Sequence, residues 1–459
     1  MNRNNHQKKF CELREKFPFF VYQSYSIAFE KKSIELSFNF SLANKFAFEP
    51  RISIPNRAFY QLNTIDRVSL EQMAFHIGMI ELISYWKTAC PPKVIIEAFN
   101  LSDDQLRWWK HLYFQGLGEF FYLNGIETTE EEFMQIEIAS DRISKPAVNQ
   151  LSDKYLVPVG GGKDSAVSLE LLRKGSFDII PFIINPREAS TGSVRIAGFT
   201  GLQTAIVNRH LDPTLLKLND QGFLNGHTPF SALLAFVSVL TATLSGCRHI
   251  ALSNESSANE PTVANTQVNH QYSKSVEFEK DFREYCQTYL HPDMNYFSLL
   301  RPLNELQIVK IFSGSPQYFN TFKSCNAGSK TDSWCGKCPK CLFTYLMLSP
   351  FLPEERVRRI FGNNLLEKQE LRPLLDELMG LTPAKPFECV GTLDEVNAVI
   401  RMLTQKSVAQ SFPALLKPVR LIETTSGSDA DFNDLLTHFD EQHFLTDELV
   451  TLLKKALHD

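Results

Sequence analysis

The chain has 459 residues, with 47 Lys and Arg against 52 Asp and Glu, and a formal net charge of −5. Hydrophobic residues make up 43% and charged residues 22%, a balance that is typical of globular proteins and excludes collagen-like, coiled-coil and disordered chains. The slight acidity argues against a protein built chiefly to hold nucleic acid.

The sequence also argues against a membrane protein. The first residues, MNRNNHQKKF, carry charge, and no apolar core of signal-peptide length follows them. The longest apolar stretch, residues 230–244, is shorter than the roughly 20 residues that a membrane span needs. We therefore expect a cytoplasmic protein with no membrane partner.

The N-terminal third mixes strand and helix patterns. FVYQSYSIAF and SIELSFNFSL alternate polar and apolar residues, which predicts two strands. A helical stretch follows and stops before Pro91, and a second one begins at Ser102 with two aspartates in its first turn. We expect an α+β domain over residues 1–147.

From Tyr155 the pattern becomes strand, helix, strand, helix, strand, in the segments YLVPVGGG, DSAVSLELLRKG, FDIIPFIIN, HTPFSALLAFVSVLTATLSG and HIALSNE. Near-continuous apolar strands that alternate with helices predict an α/β fold with a doubly wound, mostly parallel sheet. We assign this domain to residues 148–349. Helical patterns after it predict a C-terminal helical region over residues 350–459.

A glycine-rich loop, VPVGGGKDS at residues 157–165, lies between a predicted buried strand and a predicted helix. Glycines allow close backbone approach, and the N–H groups that begin the helix point at an anion. The predicted phosphate-binding residues are Gly160, Gly161, Gly162, Lys163, Asp164 and Ser165. Asp164 fits such a site if Mg²⁺ bridges its carboxylate to the phosphates. The spacing matches neither a Walker A loop nor a dinucleotide-binding loop.

The loop resembles the pyrophosphate-binding loop of the adenine-nucleotide α-hydrolases, usually Ser-Gly-Gly-x-Asp-Ser, with Gly160 in place of the first Ser. This resemblance implies that ATP is cut between its α and β phosphates, so that a substrate oxygen is adenylated and pyrophosphate leaves. It also implies that the end of the second strand, at Ile184 and Asn185, lies near the adenine.

Four of the nine cysteines are close together in sequence, at Cys325, Cys335, Cys338 and Cys341. Two overlapping Cys-x-x-Cys pairs with a fourth thiol upstream predict a tetrahedral zinc site. An iron–sulfur cluster uses similar spacing and stays an alternative, although adenylation needs no electrons. Together with the glycine loop, the cysteines resemble those of the 7-cyano-7-deazaguanine synthases, which activate a carboxylate with ATP.

Six segments spread over nearly the whole chain resemble the MurL family of ATP-dependent UDP-N-acetylmuramoyl-L-alanyl-L-glutamate epimerases: GMIELISYWKTACPP, YFQGLGEFFYLNGI, VPVGGGKDS, NGHTPFSALLAF, LSNESSANEPT and KPFECVGT. This resemblance implies that the substrate is UDP-MurNAc-L-Ala-L-Glu. Its terminal L-Glu becomes D-Glu, ATP yields AMP and pyrophosphate, and the product serves peptidoglycan precursor synthesis.

Epimerisation needs groups that remove and return the Cα proton. His227, just before a long helix, and Glu255, at the carboxyl end of a predicted strand, are the candidate bases. Arg187 and Arg209 are candidates for holding phosphate or the substrate carboxylates. The plainer interpretations are a hydrogen-bonded histidine, a solvated carboxylate and two surface charges. Glu260 and Lys274 are weaker candidates.

Three other functions stay open at the level of sequence. One is another carboxylate-adenylating synthase that forms an amide or a nitrile, which would differ in needing ammonia as acceptor. A tRNA-thiolating enzyme that uses the cysteines for sulfur is disfavoured by the acidic net charge. A non-catalytic nucleotide sensor would be excluded by pyrophosphate release with turnover.

Overall fold

The structure is a computed structural model that describes residues 3–63, 65–142, 146–147, 149–328, 331–406, 413–417 and 431–458. Its contacts group the chain into two compact units. Unit 1 consists of Met1–Leu156, Ala205–Ile250 and Tyr272–Tyr296, and unit 2 consists of Val157–Thr204, Ala251–Gln271 and Phe297–Asp459. Each unit therefore combines segments far apart in sequence, which a division at 147/148 and 349/350 does not capture.

The helices and strands, in chain order, are α1 (Arg3–Lys16), β1 (Phe19–Phe29), β2 (Ser33–Leu42), β3 (Phe46–Phe48), β4 (Arg51–Pro55), α2 (Arg67–Trp86), β5 (Lys93–Ile96), α3 (Asp103–Gly116), α4 (Gly118–Asn124), β6 (Gln135–Ile138), β7 (Ser152–Pro158), α5 (Lys163–Lys174), β8 (Ile179–Ile184), α6 (Glu188–Ile196), β9 (Ala205–His210), α7 (Pro213–Asp220), α8 (Phe230–Ser245), β10 (Cys247–Leu252), α9 (Val276–Tyr289), β11 (Asn295–Ser298), α10 (Glu305–Ser313), α11 (Pro339–Leu348), α12 (Glu354–Phe361), α13 (Arg372–Leu378), α14 (Leu393–Lys406), α15 (Phe432–Thr437) and α16 (Asp447–His458). The predicted mixed α/β class and helical C-terminal region are confirmed. Among the helices described, none is long and apolar enough to cross a membrane.

In unit 1, β2 pairs antiparallel with β1, β3 and β4, and β4 pairs antiparallel with β9. The strands β1, β5 and β6 pair in parallel, as do β7 and β10. The alternation of polar and apolar residues matches the two faces of β2. One face buries its side chains and the residues between them are partly exposed; the buried ones are Ile34, Leu36, Phe38 and Phe40. Helix α2 packs against β1 and α8.

Several predicted boundaries of unit 1 are confirmed, and others differ. Ser102 caps α3, since its hydroxyl accepts from the backbone N–H of Gln105. The side-chain carbonyl of Gln105 in turn accepts from the backbone N–H of Ser102. The predicted second helix is in fact two, α3 and α4, which meet at Leu117. Helix α1 has no counterpart among the predicted elements, because its sequence is too polar to give a clear apolar face.

In unit 2, α5 packs against β8 and α10, and α10 packs against α11. The strands β7 and β10 end in this unit, so the loops that follow them belong to it. Open α/β sheets bind ligands outside the carboxyl ends of their strands. The fold therefore directs attention to residues 159–162 after β7 and residues 253–260 after β10.

Candidate functional site

The glycine loop connects β7 to α5 and touches the start of a second helix. The backbone N–H of Val159 donates to the Phe182 carbonyl at 2.7 Å, which aligns the loop with β8. Gly161 has φ +88°, and a Cβ there would lie 2.6 Å from the Ser190 backbone nitrogen in the first turn of α6. Only glycine fits this position. The N-termini of α5 and α6 thus flank one loop, an arrangement suited to an anion.

Lys163 points inward from this loop. Its ammonium lies 2.5 Å from a carboxylate oxygen of Asp164 and 2.5 Å from one of Glu305, and its side chain is only 4% exposed. Burial opposes the charge, but the two carboxylates outweigh it and raise the pKa of the ammonium. Lys163 therefore neutralises carboxylates, which is a different task from the predicted direct contact with phosphate.

Three carboxylates meet beside this lysine. One oxygen each from Asp164, Glu255 and Glu305 lie within 4.8 Å of one another, and both glutamates are buried. Burial raises the pKa of the Glu305 carboxyl, and the surrounding carboxylates raise it further against the opposing effect of Lys163. Three carboxylate oxygens this close together are the donor set that a hard divalent cation prefers.

Glu255 follows β10, as predicted, but it is 3% exposed, which excludes a solvated carboxylate. The buried Arg301 guanidinium donates to the backbone carbonyl of Glu255 at 2.6 Å and so holds this loop in place. Glu395 joins this loop to α10, since one carboxylate oxygen accepts from the Ser257 hydroxyl at 2.9 Å and the other from the Glu305 N–H at 2.6 Å.

The segment KPFECVGT covers the loop LSNESSANEPT. The Lys385 backbone N–H donates to the Thr262 carbonyl at 2.8 Å, and the Lys385 ammonium pairs with the Glu260 carboxylate. Glu260 is thereby a structural partner of Lys385. Two segments that are over 100 residues apart are therefore bonded to each other, and one of them carries Glu255.

The four cysteines converge as predicted. Each thiol lies within 4.8 Å of the other three. The sulfur–sulfur distances include 3.7 Å for Cys325–Cys338, 3.7 Å for Cys335–Cys341 and 3.5 Å for Cys338–Cys341. Four ligands about 2.3 Å from one ion would stand about 3.8 Å apart. The geometry thus suits a single tetrahedral ion, whereas the thiolates of a multi-iron cluster bind different irons and must lie farther apart.

Two predicted site residues lie in unit 1 and have partners there. The His227 imidazole Nδ1 is 3.5 Å from a carboxylate oxygen of Glu119. The residue before it, Gly226, accepts a hydrogen bond at its carbonyl from the buried Lys87 ammonium. Burial lowers the pKa of Lys87 to about 8. His227 is therefore on a loop that is held in place, with a carboxylate to orient its ring.

Arg209, on β9, is engaged by a buried acid. Its guanidinium donates from Nε and Nη2 to Glu81 on α2 at 2.9 Å each, and Nη2 also reaches the Ser84 hydroxyl at 3.1 Å. Glu81 is 1% exposed. This bidentate pair favours a structural role for Arg209 over substrate binding.

The remaining predicted residues lie around the loop in unit 2. Arg187 precedes α6 and is exposed, with no partner for its guanidinium in the part of the chain that the structure describes. Asn185 follows β8 with φ 50°. The Ser165 hydroxyl donates to the Gly162 carbonyl at 3.1 Å, so it stabilises the loop itself.

Sequence reasoning missed Glu305, Glu395, Arg301 and Glu119. Each contacts its partner from a distant part of the chain, so spacing alone gives no indication of the pairing. A faint signal exists for Glu305, an acid in the apolar run LNELQIV at the start of a helix. A charged residue in such a run must find a buried partner or a ligand.

Comparisons with known proteins identify the family of this chain. The profile of the MurL N-terminal domain matches residues 12–299, and that of the MurL C-terminal domain matches residues 321–432. The chain belongs to the MurL family.

Curated MurL relatives carry the name UDP-N-acetyl-alpha-D-muramoyl-L-alanyl-L-glutamate epimerase. The protein from Salinispora tropica is 35% identical over 79% of this chain and 79% of its own length. Those from Micromonospora sp. and Xanthomonas oryzae pv. oryzae are 35% and 34% identical, over 77% and 78% of this chain and 80% and 79% of their own lengths. By these names the relatives are isomerases that act on a nucleotide-linked muramoyl dipeptide.

Proposed function

We propose that this protein is an isomerase that converts the terminal L-Glu of UDP-MurNAc-L-Ala-L-Glu to D-Glu, with ATP as cosubstrate. The reaction and substrate follow from the names of the MurL relatives, which cover more than two thirds of the chain. The observation that carries the role of ATP is the glycine loop, flanked by two helix N-termini and bordered by three carboxylates.

The phosphates of ATP bind at the glycine loop, whose sequence resembles a pyrophosphate-binding loop. Asp164, Glu255 and Glu305 would hold Mg²⁺, because their oxygens are close enough to share one cation. Bound Mg²⁺ would neutralise the charge of the phosphates. The protein orients the acids through Glu395 and Arg301.

Activation of the substrate makes the proton transfer possible. A free carboxylate opposes removal of the neighbouring Cα proton, because a dianion would form. Its adenylate is neutral at that carbonyl and delocalises the carbanion, so a side chain of ordinary basicity suffices. The adenylate is then hydrolysed, and AMP and pyrophosphate are the nucleotide products.

His227 is the better candidate for the base. Its imidazole has the Glu119 carboxylate 3.5 Å from Nδ1, where it can orient the ring. Glu255, the other candidate, already belongs to the carboxylate cluster and would be needed there as a cation ligand. Its second role as a base therefore competes with the first.

The cysteine cluster would hold structural Zn²⁺. The sulfur–sulfur distances suit one ion of that size, and Gly336 has φ +66° in the turn between two of the thiols. The Gly328 N–H also donates to the Cys325 sulfur at 3.1 Å, a bond that stabilises a thiolate. No step of the reaction needs this ion.

The decisive experiment incubates the protein with ATP, Mg²⁺ and UDP-MurNAc-L-Ala-L-Glu in D₂O. We expect D-Glu on a chiral column, deuterium at its Cα, and AMP and pyrophosphate in step with turnover. ADP as the primary product, or epimerisation without ATP, would contradict the adenylation mechanism. Amide or nitrile formation with ammonia would identify a synthase instead.

Two variants separate activation from proton transfer. His227→Ala should stop deuterium incorporation while pyrophosphate release persists, because the base acts after adenylation. Glu255→Gln should stop both if Glu255 is a cation ligand, and deuterium incorporation alone if it is a base. Epimerisation at the native rate in His227→Ala would remove His227 from the mechanism.

A further inference from the structure

A short segment connects the glycine loop to the cysteine cluster. The backbone N–H of Lys323 donates to the Gly161 carbonyl at 2.9 Å. Two residues later, Cys325 is buried, and its sulfur accepts from the Gly328 N–H at 3.1 Å. The segment is therefore held at both ends, and Ser324 is fixed between them.

The Ser324 hydroxyl lies over the loop. A Cβ at Gly162 would be only 3.1 Å from the Ser324 Oγ, so the hydroxyl is against the residue that caps α5. In the described part of the chain this hydroxyl has no hydrogen-bond partner, and Ser324 is only partly exposed. A hydroxyl in this position can donate to an anion held by the N–H groups of α5.

The loop itself supplies no other hydroxyl or ammonium for that purpose. Gly160 has no side chain, and the Ser165 hydroxyl donates to the Gly162 carbonyl. The Lys163 ammonium already forms ion pairs with Asp164 and Glu305. The backbone of the loop thus needs a side-chain donor from elsewhere.

We propose that Ser324 is a phosphate-binding residue, whose hydroxyl donates to the pyrophosphate part of the nucleotide, and that the cysteine cluster keeps it in place. This inference rests on the proposed binding of ATP phosphates at the glycine loop. It gives the cysteine cluster a function beyond folding, because the residue next to its first ligand completes the phosphate site.

The test measures the affinity of the full-length protein for pyrophosphate with Mg²⁺ by calorimetry. Ser324→Ala should bind about 10- to 100-fold more weakly, the effect of losing one hydrogen bond to a charged group. Ser333→Ala is the control, because Ser333 is exposed on the same segment and its hydroxyl meets only that of Thr331. Metal content and the midpoint of thermal unfolding should be unchanged in both.

A second variant tests whether the affinity for pyrophosphate depends on a hydroxyl at this loop. A Cβ at Gly160 would meet nothing within 4 Å, so Gly160→Ser adds a hydroxyl to the loop without a clash. In the Ser324→Ala background it should recover affinity for pyrophosphate. Wild-type affinity in Ser324→Ala alone would overturn the inference. Absence of pyrophosphate and ATP binding by the wild-type protein would overturn the proposed function as well, so the two failures are distinguishable.

Discussion

In unit 1 the buried Glu81 is matched by Arg209, whereas in unit 2 the buried Glu255 and Glu305 converge with Asp164 beside Lys163. In unit 1, Glu81 and Arg209 satisfy each other through bidentate hydrogen bonds, and the pair needs nothing more. In unit 2, three carboxylates lie within 4.8 Å of one another, and so do four thiols. Carboxylates or thiols that converge within reach of one ion can share a cation, whereas an acid bonded to a base gives the fold a fixed link.

The largest expected effect follows from breaking the cysteine cluster. Cys335→Ser should lower the free energy of unfolding by more than about 5 kcal/mol, since structural zinc contributes on the order of 10 kcal/mol to small zinc domains. The checks are elemental analysis, with one zinc per wild-type chain, and urea unfolding. Cys11→Ser is the control, because that thiol is exposed. A metal-free wild-type protein of full stability would contradict the assignment.

The next largest loss of stability is expected from breaking the Glu81–Arg209 ion pair. Glu81→Gln should cost about 3–5 kcal/mol in stability, because it leaves the Arg209 guanidinium buried without a counter-charge. Replacing both partners with Met and Leu should recover most of that loss. At the exposed pair of Glu49 and Arg51, Glu49→Gln should change stability by less than about 1 kcal/mol. Equal losses at the two pairs in thermal unfolding would refute the comparison.

A neutral network in unit 1 predicts a pH dependence of stability. Burial lowers the pKa of His76 from 6.5 to about 4, and its ring is bonded to the Tyr285 hydroxyl and the Gln72 carbonyl. The folded state therefore resists protonation that the unfolded state accepts. The free energy of unfolding should fall as the pH falls from about 6.5 to about 4, by roughly 3 kcal/mol in total.

The measurement for His76 is urea unfolding at a series of pH values. His76→Gln keeps a polar side chain but cannot titrate, so its stability should vary less over the same interval. An identical pH dependence in the variant and the wild-type protein would assign the effect to other groups.

The smallest effect on stability is expected at Glu305. Burial raises the pKa of this carboxyl. Asp164 stays beside the Lys163 ammonium when Glu305 is replaced, and the amide removes a like charge next to Glu255, so Glu305→Gln should change the free energy of unfolding by less than about 1 kcal/mol without Mg²⁺. The same variant should lose Mg²⁺-dependent ATP binding, measured by calorimetry. Wild-type binding should strengthen as the pH rises, because the cation requires the carboxylate. Glu355→Gln, at an exposed pair with Arg359, is the control, and unchanged Mg²⁺ dependence in Glu305→Gln would argue against a cation at this cluster.

Local signals in the sequence predicted the parts of this site that are continuous in the chain. The glycine loop, the cysteine spacing and the cap at Ser102 each depend on residues within a few positions of one another. Backbone conformation and capping are short-range effects, so a sequence reveals them. The strand over Ile179–Ile184 was likewise clear from its continuous apolar run.

Long-range pairing was not predictable in this way. Glu305 meets Lys163 across 142 positions, and Glu81 meets Arg209 across 128. Neither acid differs from a surface glutamate until the fold brings its partner near. Local sequence does not show that Arg209 and Lys163 meet buried acids. It therefore predicted a substrate ligand at Arg209 and a phosphate contact at Lys163.

The interleaving of the two units has a consequence for how the protein is made. Strand β4 can pair with β9 only after residue 210 has been made, since Arg51 lies opposite His210. Unit 1 also includes residues 272–296. The ribosome must therefore deliver roughly two thirds of the chain before unit 1 can close. Before residues 205–245 are made, β4 lacks its neighbour β9 and α2 lacks its partner helix α8, and long loops must close against chain entropy. We expect truncated nascent chains to require a chaperone and neither unit to be obtainable as a simple contiguous fragment.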